Sequence, residues 1–310
     1  MIVVDDRNTT PCVATIGFFD GVHLGHRYLI EQVRQAARER GLSSAVVTFP
    51  VHPRQVMQAD YRPKLLLTPG EKMDKLDNAG VDLCFLLDFT LELSRLSAKQ
   101  FMALLKERFA VGTLIIGYDH RFGHGRSEGF DDYVSHGREL RMEVLPADAY
   151  SREAGAVSSS MIRRLLAGGD VAQAAQCLGY PYTLGGTVVD GYHFGRSIGY
   201  PTANLRPEDP DKLLPADGVY AVRAIVDGSS YAGIMNIGFH PTVNSDERRS
   251  LEVHLLDFSG DLYRQHLSVA FVRRLRQEHR FDSIEDLTRQ LKEDEEEVRK
   301  AENEARESEK

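Results

Sequence analysis

Apolar and polar positions alternate along this chain in two different rhythms. The run Cys12-Val13-Ala14-Thr15-Ile16 has the length of a buried strand, and the residues after His26, through Arg40 and Gly41, have the spacing of an amphipathic helix. Three further runs read as buried strands: Ala45–Phe49, Val81–Leu87 and Thr113–Ile116. Between them, Glu71–Asn78 and Ala98–Phe109 read as helices, announced by Thr68-Pro69 and by Ser97. Strands alternating with helices predict βαβ units and a parallel sheet, whose ligands sit beyond the carboxyl ends of the strands. The His23/His26 loop, the Thr48–Arg54 segment and the Gly117–Gly129 loop all follow strands, so one rim should gather all three.

Beyond Gly179-Tyr180-Pro181 the rhythm shortens. Gly186–Val189, Gly218–Ala224, Tyr231–Met235 and Leu251–Leu256 are separated by turn residues, which predicts a small antiparallel barrel. The expected division is therefore an α/β domain over residues 1–179 and a barrel domain over 180–310 with a terminal helix from about Ser283. The end of that helix, Glu293–Lys310, is almost wholly charged and reads as a solvated or frayed tail.

Composition narrows the class. The 310 residues are of ordinary soluble composition, with no apolar run of membrane-spanning length and no signal peptide at Met1–Arg7. The three cysteines are scattered, which fits a reducing cytoplasm better than a disulfide framework or a zinc site. Residues 291–310 hold nine acids against five bases, half of the net charge of −8. The mildly acidic remainder gives no support to nucleic-acid binding, while leaving room for a small anion. No membrane partner is expected, and the chain is expected to be a monomer or a weak homo-oligomer.

Candidate chemistry concentrates in a few segments. Gly17–His26 is a glycine-bracketed loop opening a helix, where backbone amides can hold phosphate, and His23 and His26 share one face of its first turn. Gly117–Gly129 combines glycines with cations. Ser158-Ser159-Ser160 can cap a helix and meet phosphate oxygens, with Arg163 a turn later to grip a phosphate. Each has a plain structural alternative: an incidental histidine pair, a turn, a cap. Neither the Rossmann nor the Walker fingerprint is present, and a zinc reading of the histidines lacks a third ligand. In the second half, Gly191–Asn204 again joins glycines to polar groups, and Thr202 and Asn204 offer the hard oxygens that Mg²⁺ prefers. The alternative there is an inter-strand loop, as a solvated strand residue is for Glu252.

Taken together, GxFDGxHxGH, the TFPVHP segment, the GxDxxFGxxxxxG loop and the SSxxIR helix resemble the bacterial bifunctional riboflavin kinase/FAD synthetase family, and the likeness covers most of the chain. It implies a Rossmann-like HxGH nucleotidylyltransferase domain that makes FAD and pyrophosphate from FMN and ATP. A barrel domain would first phosphorylate riboflavin to FMN, and both steps would use Mg²⁺ and ATP. By matching position, His23 and His26 would stabilise charge at the ATP α-phosphate, and Ser159, Ser160 and Arg163 would hold the departing phosphates. Gly17, Phe19, Asp20, Gly25 and Asp119 join the nucleotide-binding set. In the barrel, the GRxxGxPTAN match would make Gly195, Thr202 and Asn204 phosphate-binding residues, with Thr202 and Asn204 also holding the metal. Glu252 would be the general base on the ribityl hydroxyl, and Arg276, in the LRxExxF match, would lie near the flavin. Departures are Val51 in place of proline, His120 in place of phenylalanine, Ser160 in place of threonine, and Leu262-Tyr263-Arg264-Gln265 where the family usually has LYGK. A cytidylyltransferase and a non-catalytic flavin binder are the alternatives. The PTAN and Glu252 segments speak against the first, and the intact candidate residues against the second.

Overall fold

The computed structural model describes residues 1–58, 60–117, 120–152, 155–191, 194–239 and 249–308. Packing divides the chain into two compact units, Met1–Ser159 and Ser160–Lys310.

The first unit holds β1 (Ile2–Val4), β2 (Cys12–Ile16), α1 (Leu24–Arg40), β3 (Ser43–Thr48), α2 (Pro53–Met57), α3 (Pro69–Asn78), β4 (Leu83–Leu86), α4 (Leu91–Ser94), α5 (Ala98–Phe109), β5 (Val111–Ile116), α6 (Phe130–Leu140), β6 (Glu143–Pro146) and a hairpin of β7 (Ser151–Arg152) and β8 (Gly155–Ala156). Its six-stranded sheet runs β1-β4-β3-β2-β5-β6, parallel throughout. The expected parallel sheet is present. β1 and β6 extend it at its edges; both are too short and exposed for the periodicity to reveal. Helices cover both faces, which is why the central strands read as continuous apolar runs. Cys12, Ala14 and Ile16 of β2 pack on one side with Phe101, Leu105 and Phe109, and Val13 packs on the other with Val33 and Ala37 of α1. From β2 the chain winds first toward β3 and β4 and later toward β5 and β6, so the strand order reverses between β2 and β5. That crevice is where open α/β sheets bind ligands.

The second unit comprises the rest of α7 (Ser159–Ala167), then α8 (Val171–Leu178), β9 (Thr183–Val189), α9 (Phe194–Ser197), β10 (Ala203–Pro207), β11 (Gly218–Val226), β12 (Ser229–Phe239), β13 (Arg249–Leu255), β14 (His266–Arg276) and α10 (Ile284–Ser308). Six antiparallel strands close a barrel in the order β10-β13-β12-β11-β14-β9. The sequence expectation put the division at Gly179. By packing, α8 and most of α7 go with the barrel: the Ala216 amide donates to Leu166 O at 2.9 Å, and Arg274 reaches Gly168 O at 3.4 Å. Side chains of β11 alternate. Tyr220 meets Phe271 edge-on at 5.3 Å, while Val219 and Ala221 face α10 with Ile234.

One reading needs correction here. The charged end is not simply a solvated tail, because Asp294, Val298 and Ala301 are buried and the last two pack on β11 and β12. Leu287, Leu291, Asp294, Val298 and Ala301 fall at alternating spacings of four and three, a helix stripe hidden among charges.

The lost glycine of the 262–265 segment also has a clear structural consequence. Gln265 N donates to Leu262 O at 3.0 Å, closing a turn whose third residue is Arg264 at φ 62°. That region suits glycine, and a side chain there costs about 1–2 kcal/mol. The turn persists because Arg264 N bonds Val188 O at 3.0 Å and Asp261 caps Tyr263 N at 2.8 Å. Arg264→Gly should therefore stabilise the barrel by about 1 kcal/mol, read as a higher urea midpoint. An unchanged or lower midpoint would refute this.

Candidate active sites

In the first unit the site grows from the end of β2. The Gly17 amide still bonds Val47 O of β3 at 3.0 Å. The chain then turns sharply, with Phe19 at φ 55° and buried. Asp20 is 4% exposed, and its carboxylate accepts from the Leu66 amide at 3.0 Å and the Leu67 amide at 3.1 Å. A buried carboxylate needs such partners, and these pin the loop to the scaffold. Ser159 Oγ donates to Asp20 O at 2.8 Å, bringing the start of α7 to the same loop. Ser160 is exposed in the first turn of α7, and Arg163 is half-buried a turn later.

His23 is the N-cap of α1, an uncommon residue for that place. Its Nδ1 accepts from the His26 amide at 3.3 Å, which leaves the proton of the neutral ring on Nε2. The two imidazoles stack with centroids 3.7 Å apart, and Gly25 lies between them in sequence, in the first turn. Phe19 meets His26 edge-on at 5.2 Å. Burial pulls His23 down to about 4. His26 keeps part of its surface exposed while its Nδ1 is enclosed, and among the described residues that atom has no hydrogen-bond partner. Burial holds His26 well below the ordinary histidine range, with His23 and His120 adding to the effect. The departure at His120 thus places a third imidazole within electrostatic reach of the pair. The loop itself is anchored by Phe122, stacked on Tyr133 at 4.2 Å. Asp119 lies outside the described residues.

Sequence reasoning missed Lys72. It is 3% exposed, donates to Phe49 O at 2.7 Å and stands 4.2 Å from the Phe18 ring centroid. Burial lowers it to about 8, against the pull of Asp20. It joins the loops after β2 and β3, and no motif marks it.

In the barrel, antiparallel register does the assembling. Asn204 of β10 lies opposite Glu252 of β13, which lies opposite Asn236 of β12. These three share a cavity of about 270 Å³ with Thr202, Gly195 and Arg276, close to the lower end of ligand sites at roughly 300 Å³. Val219, Ile234, Leu287 and Leu291 give it apolar walls. Two glycines are required by close approach: a Cβ on Gly191 would meet Asn204 Nδ2 at 2.0 Å, and one on Gly195 would meet Tyr200 O at 2.1 Å. His254, on the same face of β13 as Glu252, bonds Pro201 O at 2.8 Å, fixing the loop before Thr202. Asn236 Nδ2 donates to Glu278 at 3.1 Å, while its Oδ1 is buried with no hydrogen-bond partner among the described residues. Sequence reasoning does not single out Asn236. Its place opposite Glu252 is a matter of register, which one sequence does not reveal.

Comparison with known proteins decides the family. The FAD synthetase family model matches residues 5–161, and the riboflavin kinase family model matches residues 178–302. A bifunctional riboflavin kinase/FMN adenylyltransferase of Listeria monocytogenes is 37% identical over 96% of this chain and 95% of its own. The chain belongs to the bifunctional riboflavin kinase/FMN adenylyltransferase family. A protein of the same description from Pseudomonas fluorescens is 39% identical, over 89% of this chain and 88% of that one. A solved structure named as a macrolide-efflux protein from Streptococcus pneumoniae matches with a TM-score of 0.88 and 33% identity, over 96% of this chain and 98% of that one. Among the described residues of this family member, no helix is long and apolar enough to cross a membrane.

The histidine pair gives a pH signature. Between pH 6.5 and about 4 the unfolded chain protonates His23 while the folded chain does not, so stability falls as pH drops through that window. From pH 6.5 to 5 the loss from this group should be about 2 kcal/mol, measured as urea midpoints. His23→Asn keeps a capping acceptor and removes the titration, so it should flatten the slope; an unchanged slope would count against the assignment.

Proposed function

We infer that the family's two activities are divided between the two halves, with FMN adenylylation assigned to residues 1–179 and riboflavin phosphorylation to 180–310. What carries the reading is the Asn204–Glu252–Asn236 row at an apolar cavity, in one chain with a stacked histidine pair opening a helix.

In the barrel, riboflavin lays its ring system against Val219, Ile234, Leu287 and Leu291, near Arg276. Glu252 accepts the proton of the ribityl 5′-hydroxyl as that oxygen bonds to the γ-phosphorus of ATP and the bond to the β-phosphate breaks. The donor set fits Mg²⁺: the Thr202 hydroxyl, the Asn204 amide oxygen and the Glu252 carboxylate are hard oxygens lining one cavity. Thr202 and Asn204 would hold the ion, which neutralises phosphate charge when bound.

In the first half, an FMN phosphate oxygen attacks the α-phosphorus of ATP and pyrophosphate leaves. Nothing covalent is needed from the protein; it must position the groups and spread charge. The α1 N-terminus, His23 Nε2–H and the stacked His26 ring stabilise charge at the α-phosphate. Phosphate charge raises the affinity of both rings for protons, so imidazoles neutral in the free chain become better donors once ATP binds. Gly17, Phe19, Asp20 and Gly25 shape this loop, and Ser159, Ser160 and Arg163 hold the departing phosphates. The three cysteines are buried free thiols, which supports a reducing, cytoplasmic setting, and small molecules rather than nucleic acid as partners follow from the chemistry.

The reading predicts a double dissociation. His26→Ala should cut FAD formation from FMN by about a hundredfold or more and leave FMN formation intact, and Glu252→Gln should do the reverse. Product chromatography from riboflavin and from FMN checks both. Parallel loss of both activities in either variant would contradict the division.

A further inference from the structure

The barrel cavity has a wall that none of its motifs supplies. α10 contributes Leu287, Leu291 and Asp294 to it. Asp294 is 3% exposed and stands on the stripe that otherwise carries Leu287, Leu291, Val298 and Ala301. A carboxylate at a core position destabilises unless its oxygens are paired. Here they are: Arg276 Nε donates to Oδ1 at 3.0 Å, Arg276 Nη2 donates to Oδ2 at 2.8 Å, and Gln290 Nε2 donates to Oδ1 at 3.2 Å. The remaining arm of the guanidinium, Nη1, reaches Gln277 O and the His279 ring, each at 3.2 Å. Its centre stands 5.6 Å from the Phe281 ring centroid. A two-pronged fork sets the plane of a guanidinium as well as its place, which a single contact cannot do.

We propose that Asp294 is a positioning residue for riboflavin phosphorylation, holding the Arg276 guanidinium in the cavity that receives the flavin. The inference rests on the riboflavin-kinase reading of the barrel. Arg276 ends β14 and is followed by a loop, so its long side chain needs a partner from outside its own strand. α10 provides that partner, and the acidic segment thereby acquires a task in the reaction. Asp294 touches no reacting atom; it acts through Arg276.

The test compares wild type, Asp294→Asn, Asp294→Glu, Arg276→Ala and the double variant Asp294→Asn/Arg276→Ala, in the full chain with riboflavin, ATP and Mg²⁺. Asp294→Asn should lower kcat/KM for riboflavin by about a hundredfold, the scale of a misplaced binding group. Asp294→Glu keeps the buried charge and moves the fork by one methylene; it should lose about tenfold. In the Arg276→Ala background, Asp294→Asn should cause no further loss, since its target is gone. FAD formation from added FMN should stay at the wild-type rate in the Asp294 variants, and the amides of β11 and β12 should keep their hydrogen-exchange protection. Near-wild-type riboflavin kinetics in both Asp294 variants would overturn the proposal. So would losses that add in the double variant, or lost barrel protection, which would make Asp294 a structural residue only. Wild type that makes no FMN would instead overturn the kinase reading itself.

Discussion

The Asp20 carboxylate, almost wholly enclosed and bonded to the amides of Leu66 and Leu67, ties the loop after β2 to a separate stretch of backbone. Moving that loop would leave a buried charge unpaired, at a cost of several kcal/mol. The rest of the first site follows from this anchor. Phe19 is held in a left-handed turn, His23 is delivered to the start of α1 as its cap, and His26 is set one turn on, stacked against its neighbour. Burial holds both imidazoles below the ordinary histidine range, so in the free chain they are neutral, and the proposed site would meet an anion with helix amides and ring N–H groups.

The barrel solves the same problem by another constraint. Closed antiparallel register sets Asn204, Glu252 and Asn236 side by side on three strands, with no need for sequence proximity. The loop between β9 and β10 must come very close to β10, which Gly191 permits, and His254 holds its far end through Pro201 O. α10 closes the remaining side through Val298 and Ala301 packed on β11 and β12, and its buried Asp294 meets Arg276. In both units a buried carboxylate fixes a group that the proposed chemistry uses.

Much of this was legible in the sequence, and the failures have physical causes. β2 and α1 carried clean periodicity, α3 and α5 carried start signals as well, and the rim that gathers the loops after β2, β3 and β5 followed from parallel topology. β14 was missed because its second half, Val272-Arg273-Arg274-Leu275-Arg276, reads as surface. Its arginines are satisfied by partners far along the chain: Arg273 by Glu297 and Arg276 by Asp294. A terminal helix from about Ser283 is expected from the sequence, but the charge of its end, Glu293–Lys310, hides the stripe that continues through Asp294, Val298 and Ala301. Lys72 left no local signal, since its role depends on Phe18 and Phe49 coming together in space. The His120 and Arg264 departures were visible, but only the fold shows one beside the histidine pair and the other holding a glycine-type turn.

The two sites imply an ordered sequence in one polypeptide: the barrel's product, a flavin with a terminal phosphate, is the nucleophile that the first site requires. The most direct test is a time course of flavin products from wild-type protein given riboflavin, ATP and Mg²⁺, resolved by chromatography with pyrophosphate measured in parallel. FMN should appear first, and FAD should follow with one pyrophosphate released for each FAD formed. Riboflavin that remains unconverted, or FMN that accumulates without FAD or pyrophosphate, would contradict the account.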